Sequence, residues 1–123
     1  MATRNTVLAL VPDLLVASRI KETASRAGVT LVVIDSQSEL GPHLPTAALL
    51  LADISAAGLD LPALAAAAAQ DHAVPIIAFG RHTDTAGIRA AHEAGITRFY
   101  PRGRFLEELA GILKTELAAA HTP

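Results

Sequence analysis

Residues 49–64 read LLLADISAAGLDLPAL, an unbroken apolar run that halts at Asp53, passes a short segment containing Gly58 and Asp60, and enters an alanine-rich helical pattern. A run that is apolar at every position, rather than at alternate ones, suits a strand covered on both faces of a sheet. The strand is predicted over Ala47–Ala52 and the helix over Leu59–Gln70. Pro62 is tolerated in the first helical turn, where its missing N–H removes no internal bond. This is one β-α step, and its alanines allow close approach of helix to sheet.

The same step recurs on either side. Thr6–Val11 is a short apolar strand that stops at Pro12, and Asp13–Ala27 follows with Leu15, Val16, Ile20, Thr23, Ala24 and Ala27 at helical spacing before Gly28 ends it. Val29–Ile34 is a second, β-branched strand. The polar stretch DSQSELGPHLP at 35–45 leaves room for only a short helix before its glycine and prolines. Val74–Phe79 is the fourth strand; Thr83 or Asp84 can cap a helix to Glu93, which Gly95 ends. Thr97–Tyr100 is a short fifth strand, and Phe105–Ala120 a last helix with Leu106, Leu109, Ile112, Leu113 and Leu117 on one face.

Apolar strands alternating with helices imply an α/β fold, a parallel sheet wrapped on both sides by right-handed crossovers. Five units suit the flavodoxin-like order 2-1-3-4-5, with residues 1–123 as one stand-alone domain and no output domain. In that order functional groups collect beyond the carboxyl ends of the strands, which here carry Pro12, Asp13, Asp53, Gly80 and Arg102.

Composition narrows the function. Hydrophobic residues are 51% of the chain and charged ones 18%, the balance of a packed domain rather than a disordered one. A formal charge of -2 supplies no field for nucleic acid or an anionic membrane. Without cysteine there is neither a disulfide nor a thiol nucleophile, and no apolar run approaches the roughly 18 residues of a membrane span. A cytoplasmic protein is expected.

Several segments carry a resemblance to the CheY-like receiver domain of bacterial response regulators, in order and over essentially the whole chain. LLLADISAAGLDLPAL resembles the family's strand that ends in the phosphoacceptor aspartate, with Asp53 at the acceptor position; VPIIAFG at 74–80 resembles its fourth strand. AHEAGITRFYPRGRFLEEL at 91–109 resembles the stretch that leads through the switch aromatic and a Lys-Pro pair into the final helix, which places Phe99 at the switch position.

The departures from the family's pattern shape the expected function. Aspartyl phosphorylation uses a hard cation held by two further acids at the end of strand 1, and those positions read Val11 and Pro12, with Asp13 one step beyond. The family's hydroxyl residue aligns with Gly80, its lysine with Arg102 and the proline that follows with Gly103. The resemblance therefore implies a degenerate receiver, not an enzyme, with no cofactor, that acts by binding protein partners or a second copy of itself. Arg98, Tyr100 and Arg104 flank the edge strand and are candidate interface residues, alongside the preceding and following helices.

Two other readings stay open on the residues. A receiver still phosphorylated on Asp53, with Mg²⁺ held in a non-standard acidic pocket by Asp13 and helped by Arg102, is one. A small-anion or ligand sensor at the sheet's carboxyl edge, opened by Gly80 and Arg81 at a helix start, is the other. His43, His72, His82, His92 and His121 show no i, i+4 pair of the zinc type, so surface or capping roles are expected for them.

Overall fold

The computed structural model describes residues 4–120. Its elements run β1 (Thr6–Leu10), α1 (Leu14–Arg26), β2 (Thr30–Ile34), β3 (Ala47–Asp53), α2 (Leu61–Gln70), β4 (Ile76–Gly80), α3 (Thr85–Glu93), β5 (Phe99–Pro101) and α4 (Arg102–Ala120). The strands form one parallel sheet in the order β2-β1-β3-β4-β5, as the sequence predicts. β1 and β3 are buried at every position, which is why their sequences lack alternation.

Alternate residues of those strands feed two cores. Leu8, Leu10, Leu50, Ala52 and Ala78 point toward α2 and α3 and meet Leu61, Leu64, Ala68 and Ala91. Val7, Ala9, Leu49, Leu51, Ile77 and Phe79 point the other way and meet Val16, Ala17, Ile20 and Ala24 of α1 and Phe105, Leu109, Ile112 and Leu113 of α4. The Phe79 and Phe105 rings stack with centroids 4.3 Å apart, joining the centre of the sheet to the last helix.

Three expectations are refined or corrected. The 35–45 stretch, expected to hold only a short helix, forms two short 3-10 helices, Gln37–Glu39 and Gly41–Thr46. Glycine and two prolines deny it the continuous N–H ladder of an α-helix. Ser36 and Glu39 form a capping box, and the Gln37 side-chain amide donates to the Asp60 carbonyl at 3.0 Å while accepting from the Asp60 N–H at 2.8 Å. That bridge pins the crossover to the start of α2. The last helix begins at Arg102 rather than Phe105, directly after the Pro101 that closes β5.

The third correction concerns α1. Its buried side is Val16, Ala17, Ile20 and Ala24, so Leu15, one helical step of about 100° away from Val16, faces water, as does Ala27. Leu14 and Leu15 are the large apolar side chains that stay exposed among the described residues.

Candidate functional site

Asp53, the last residue of β3, lies at the carboxyl edge and is 1% exposed. A buried carboxylate needs donors, and the chain supplies them two residues on. Both the backbone N–H and the hydroxyl of Ser55 donate to its Oδ1, at 2.9 and 2.6 Å. This is the local Asx geometry that an Asp-x-Ser sequence favours, and it is the signal by which Ser55 was legible and missed. Oδ2 faces Arg102, whose Nη2 stands 3.9 Å away, an ion pair without a close hydrogen bond. The Arg102 Nε is buried and has no hydrogen-bond partner.

The other residues expected at this edge take diverse places. Val11 is buried in the core beneath α1 and α4, so its side chain belongs to packing. Pro12 is exposed. Asp13 caps α1: its Oδ1 accepts from the N–H groups of Leu15 and Val16 at 2.9 and 3.2 Å. Asp84, not Thr83, caps α3 through the Gly87 N–H at 2.9 Å.

Gly80 ends β4 under the side chain of Ile54. A Cβ placed on Gly80 would lie 2.6 Å from Ile54 Cγ1 and 3.7 Å from the Phe99 ring. The volume a larger residue would need is thus filled by the neighbour of Asp53, and Ile54 itself is only 9% exposed. Phe99 is half-buried against the α2 and α3 side of the core, while Tyr100 lies on the opposite side, 6.5 Å from the Phe105 ring.

Above this floor is an open pocket of about 470 Å³ lined by Asp13, Ser55, Arg81, Thr83, Asp84 and Arg102. Its two guanidinium groups are matched by two carboxylates, so it offers no net positive field for a small anion. A hard cation such as Mg²⁺ keeps several waters in its shell of about six oxygens and is held by one or two carboxylates free to reach it. Asp53 alone projects an acid from the strand ends, one of its oxygens is engaged by Ser55, and Asp13 is committed to a helix terminus. Among the described residues no three His, Cys, Asp or Glu side chains converge.

Around the edge strand the arginines have partners within the chain. Arg98 hydrogen-bonds Glu116 of α4, and Arg104 reaches Glu108 at 2.5 Å. The hydrogen bond to Glu116, assisted by its charge and opposed by partial burial, holds the Arg98 guanidinium above its ordinary range. The Glu108 hydrogen bond shifts exposed Arg104 in the same direction. His72 lies far from the acceptor position, with Nδ1 2.8 Å from Asp71 and Nε2 3.2 Å from the Ala47 carbonyl. His121 lies outside the described residues.

Solved structures share this fold over nearly the whole of the chain. A response regulator from Hahella chejuensis superposes with a TM-score of 0.80 at 14% identity, covering 97% of this chain and 99% of its own. The apo receiver domain of nitrogen regulatory protein C gives 0.76 at 22% identity, over 95% and 97% of the two chains. The fold is that of a receiver domain. A Francisella response-regulator receiver domain agrees, with a TM-score of 0.74 at 17% identity over 94% of this chain and 98% of that one. No family model matches the sequence, and no curated protein matches it. Asp53 ends β3 at the carboxyl edge of that fold, and no helix of the described residues is long and apolar enough to cross a membrane.

Proposed function

We propose that this chain is a degenerate receiver, a signalling module that works by binding protein partners without aspartyl phosphorylation. The observation that carries this reading is the Ile54 side chain seated over Gly80, where a hydroxyl-bearing residue would have to stand to reach a phosphoryl group on Asp53. A phosphoaspartate there would meet an apolar branch on one side and the Arg102 guanidinium on the other, while the acids that line the pocket, Asp13 and Asp84, each cap a helix rather than stand free to hold a charge-neutralising cation. Ser55 already satisfies one carboxylate oxygen. The module is not an enzyme in this reading, needs no cofactor, and acts in the cytoplasm.

Self-association through α3, β5 and α4 belongs to the same reading. Arg98 and Arg104 enter such a contact already bound to Glu116 and Glu108, so the edge backbone of β5 and the half-buried Tyr100 ring would carry it.

The test is to incubate the protein with acetyl phosphate and Mg²⁺ and to follow intact mass beside a standard receiver. In parallel, amide spectra are recorded with Mg²⁺ and beryllofluoride. An unmodified mass and unmoved amides at Asp53, Gly80 and Arg102 are expected. A phosphoryl adduct that disappears in Asp53→Asn overturns the proposal and restores the phospho-switch.

A further inference from the structure

The sheet has two edge strands, and they are built differently. β5 is three residues long, closes on Pro101, which has no N–H to offer, and stands between Arg98 and the arginines at the start of α4. β2, on the far edge, reads Thr-Leu-Val-Val-Ile over its five residues, with no charge, no proline and an unbroken register against β1. Charges, prolines, bulges and very short strands are what keep a sheet edge from pairing, and β2 has none of the first three. Thr30 is exposed, and Leu31, Val32 and Val33 are only half-buried.

The direction of its peptide groups follows from one hydrogen bond. The Val11 N–H donates to the Ile34 carbonyl at 3.0 Å, so Ile34 turns its peptide groups toward β1. In a strand the N–H and C=O of one residue point to the same side, and the side alternates along the chain. Thr30, Val32 and Ile34 therefore bond β1, while Leu31 and Val33 turn N–H and C=O outward. Among the described residues no loop or turn backbone bonds those outward groups. Two outward residues with one inward residue between them are the repeat of an antiparallel ladder.

We infer that β2 pairs antiparallel with β2 of a second copy of this chain, about a two-fold axis through Val32, so that two sheets run on as one. In this register Leu31 and Val33 of one copy exchange N–H and C=O with Val33 and Leu31 of the other, and Val32 meets its own copy in the close pair that makes no hydrogen bonds. The strand is its own complement: apolar opposes apolar throughout, and no charge is set against its like. Beyond the strand, Asp35 comes level with Val29 of the other copy, at the end where that chain leaves Arg26, so opposite charges approach. A parallel two-fold pair would set N–H against N–H. The pairing consumes both β2 edges, so it closes as a dimer and does not propagate. The inference does not depend on the state of Asp53, and it leaves the surface of α3, β5 and α4 free. One strand pair is a small interface, below the roughly 1,200 Å² of stable complexes, so a Kd between about 10 µM and about 1 mM is expected.

The chain has no cysteine, so one introduced thiol reports the register. In the close pair Cα atoms lie about 4.5 Å apart, within disulfide reach, so Val32→Cys should oxidise to a covalent dimer. Thr30→Cys, roughly 13 Å from its own copy in this register, should stay monomeric under the same oxidant. On the unmodified protein, hydrogen exchange at the Leu31 and Val33 amides should slow as concentration rises from about 10 µM to about 1 mM, with sedimentation reporting dimer. Thr30→Lys, a change at an exposed position, should keep the thermal unfolding profile and weaken the dimer at least about tenfold, because the lysine faces Ile34 of the other copy. A monomer at every concentration, equal cross-linking of Val32→Cys and Thr30→Cys, or concentration-dependent protection confined to β5 overturns the inference. So does a monomer whose Leu31 and Val33 amides become protected only when an extended apolar peptide is added, which assigns the edge to another protein.

Discussion

Asp53 and Glu116 are both buried carboxylates, on different elements, and they are satisfied by opposite means. Asp53 takes two hydrogen bonds from Ser55, two residues away in the chain, and keeps its arginine at 3.9 Å. Glu116 takes its hydrogen bond from Arg98, eighteen residues away, on the segment leading into the edge strand. Local donors satisfy one Asp53 oxygen from within its own loop, and Arg102 of α4 faces the other without a close hydrogen bond. The long-range pair does the reverse: it ties the edge of the sheet to the last helix and gives Arg98, still partly exposed, a partner within the chain. The contrast separates a loop whose carboxylate is satisfied locally from a clamp that ties an edge to a helix.

The largest effect expected on that contrast comes from forcing the acceptor side open. Gly80→Thr brings a Cβ to 2.6 Å from Ile54 and should cost about 1–3 kcal/mol, measured by urea unfolding. Adding Ile54→Ala to it should cost less than the sum of the two single changes. Strict additivity would show that Ile54 does not fill the space above Gly80.

On the clamp side, Glu116→Gln keeps the volume but leaves Arg98 with a neutral acceptor. Breaking a fully buried pair costs several kcal/mol; with Arg98 45% exposed the expectation drops to about 1–2 kcal/mol. Faster hydrogen exchange at β5 amides should accompany the loss, and unchanged exchange would show that the pair does not hold the edge. Because folding raises the Arg98 pKa, the part of this contribution that depends on the Arg98 proton is present below the ordinary arginine range and is lost as pH climbs through the raised value. Titration of Arg98 should therefore leave stability flat from acid to neutral pH.

Ser55→Ala should be milder, about 1 kcal/mol, since the Ser55 backbone N–H still donates to Asp53. A loss as large as that of Glu116→Gln would mean that the hydroxyl, rather than the backbone, satisfies the carboxylate. Smallest of all is Arg104→Ala, which removes an exposed i, i+4 pair and should leave the denaturation midpoint within measurement error.

Much of this molecule can be read from its residues because its signals are local. Unalternating apolar runs mark β1 and β3, Asp13 and Asp84 announce helix starts, and Gly95, with φ of +93, ends α3 in a conformation other residues resist. Each of these depends on a few consecutive residues, so each survives being read one segment at a time. The helical period puts Leu15 in the buried stripe of α1 because period alone does not locate the stripe's edge; that edge is set by how the helix rolls against β2 and α4.

What the sequence by itself determined is the order of strands and helices, the parallel sheet they build, and the carboxyl edge at which Asp53, Gly80 and Arg102 meet. The tertiary structure alone decided that Ile54 covers Gly80, that Arg102 stands 3.9 Å from Asp53 without a close hydrogen bond, and that Arg98 turns to Glu116. The physical reason is range: periodicity and capping are fixed by neighbours in the chain, whereas a filled volume or a choice of ion-pair partner depends on atoms that only packing brings together.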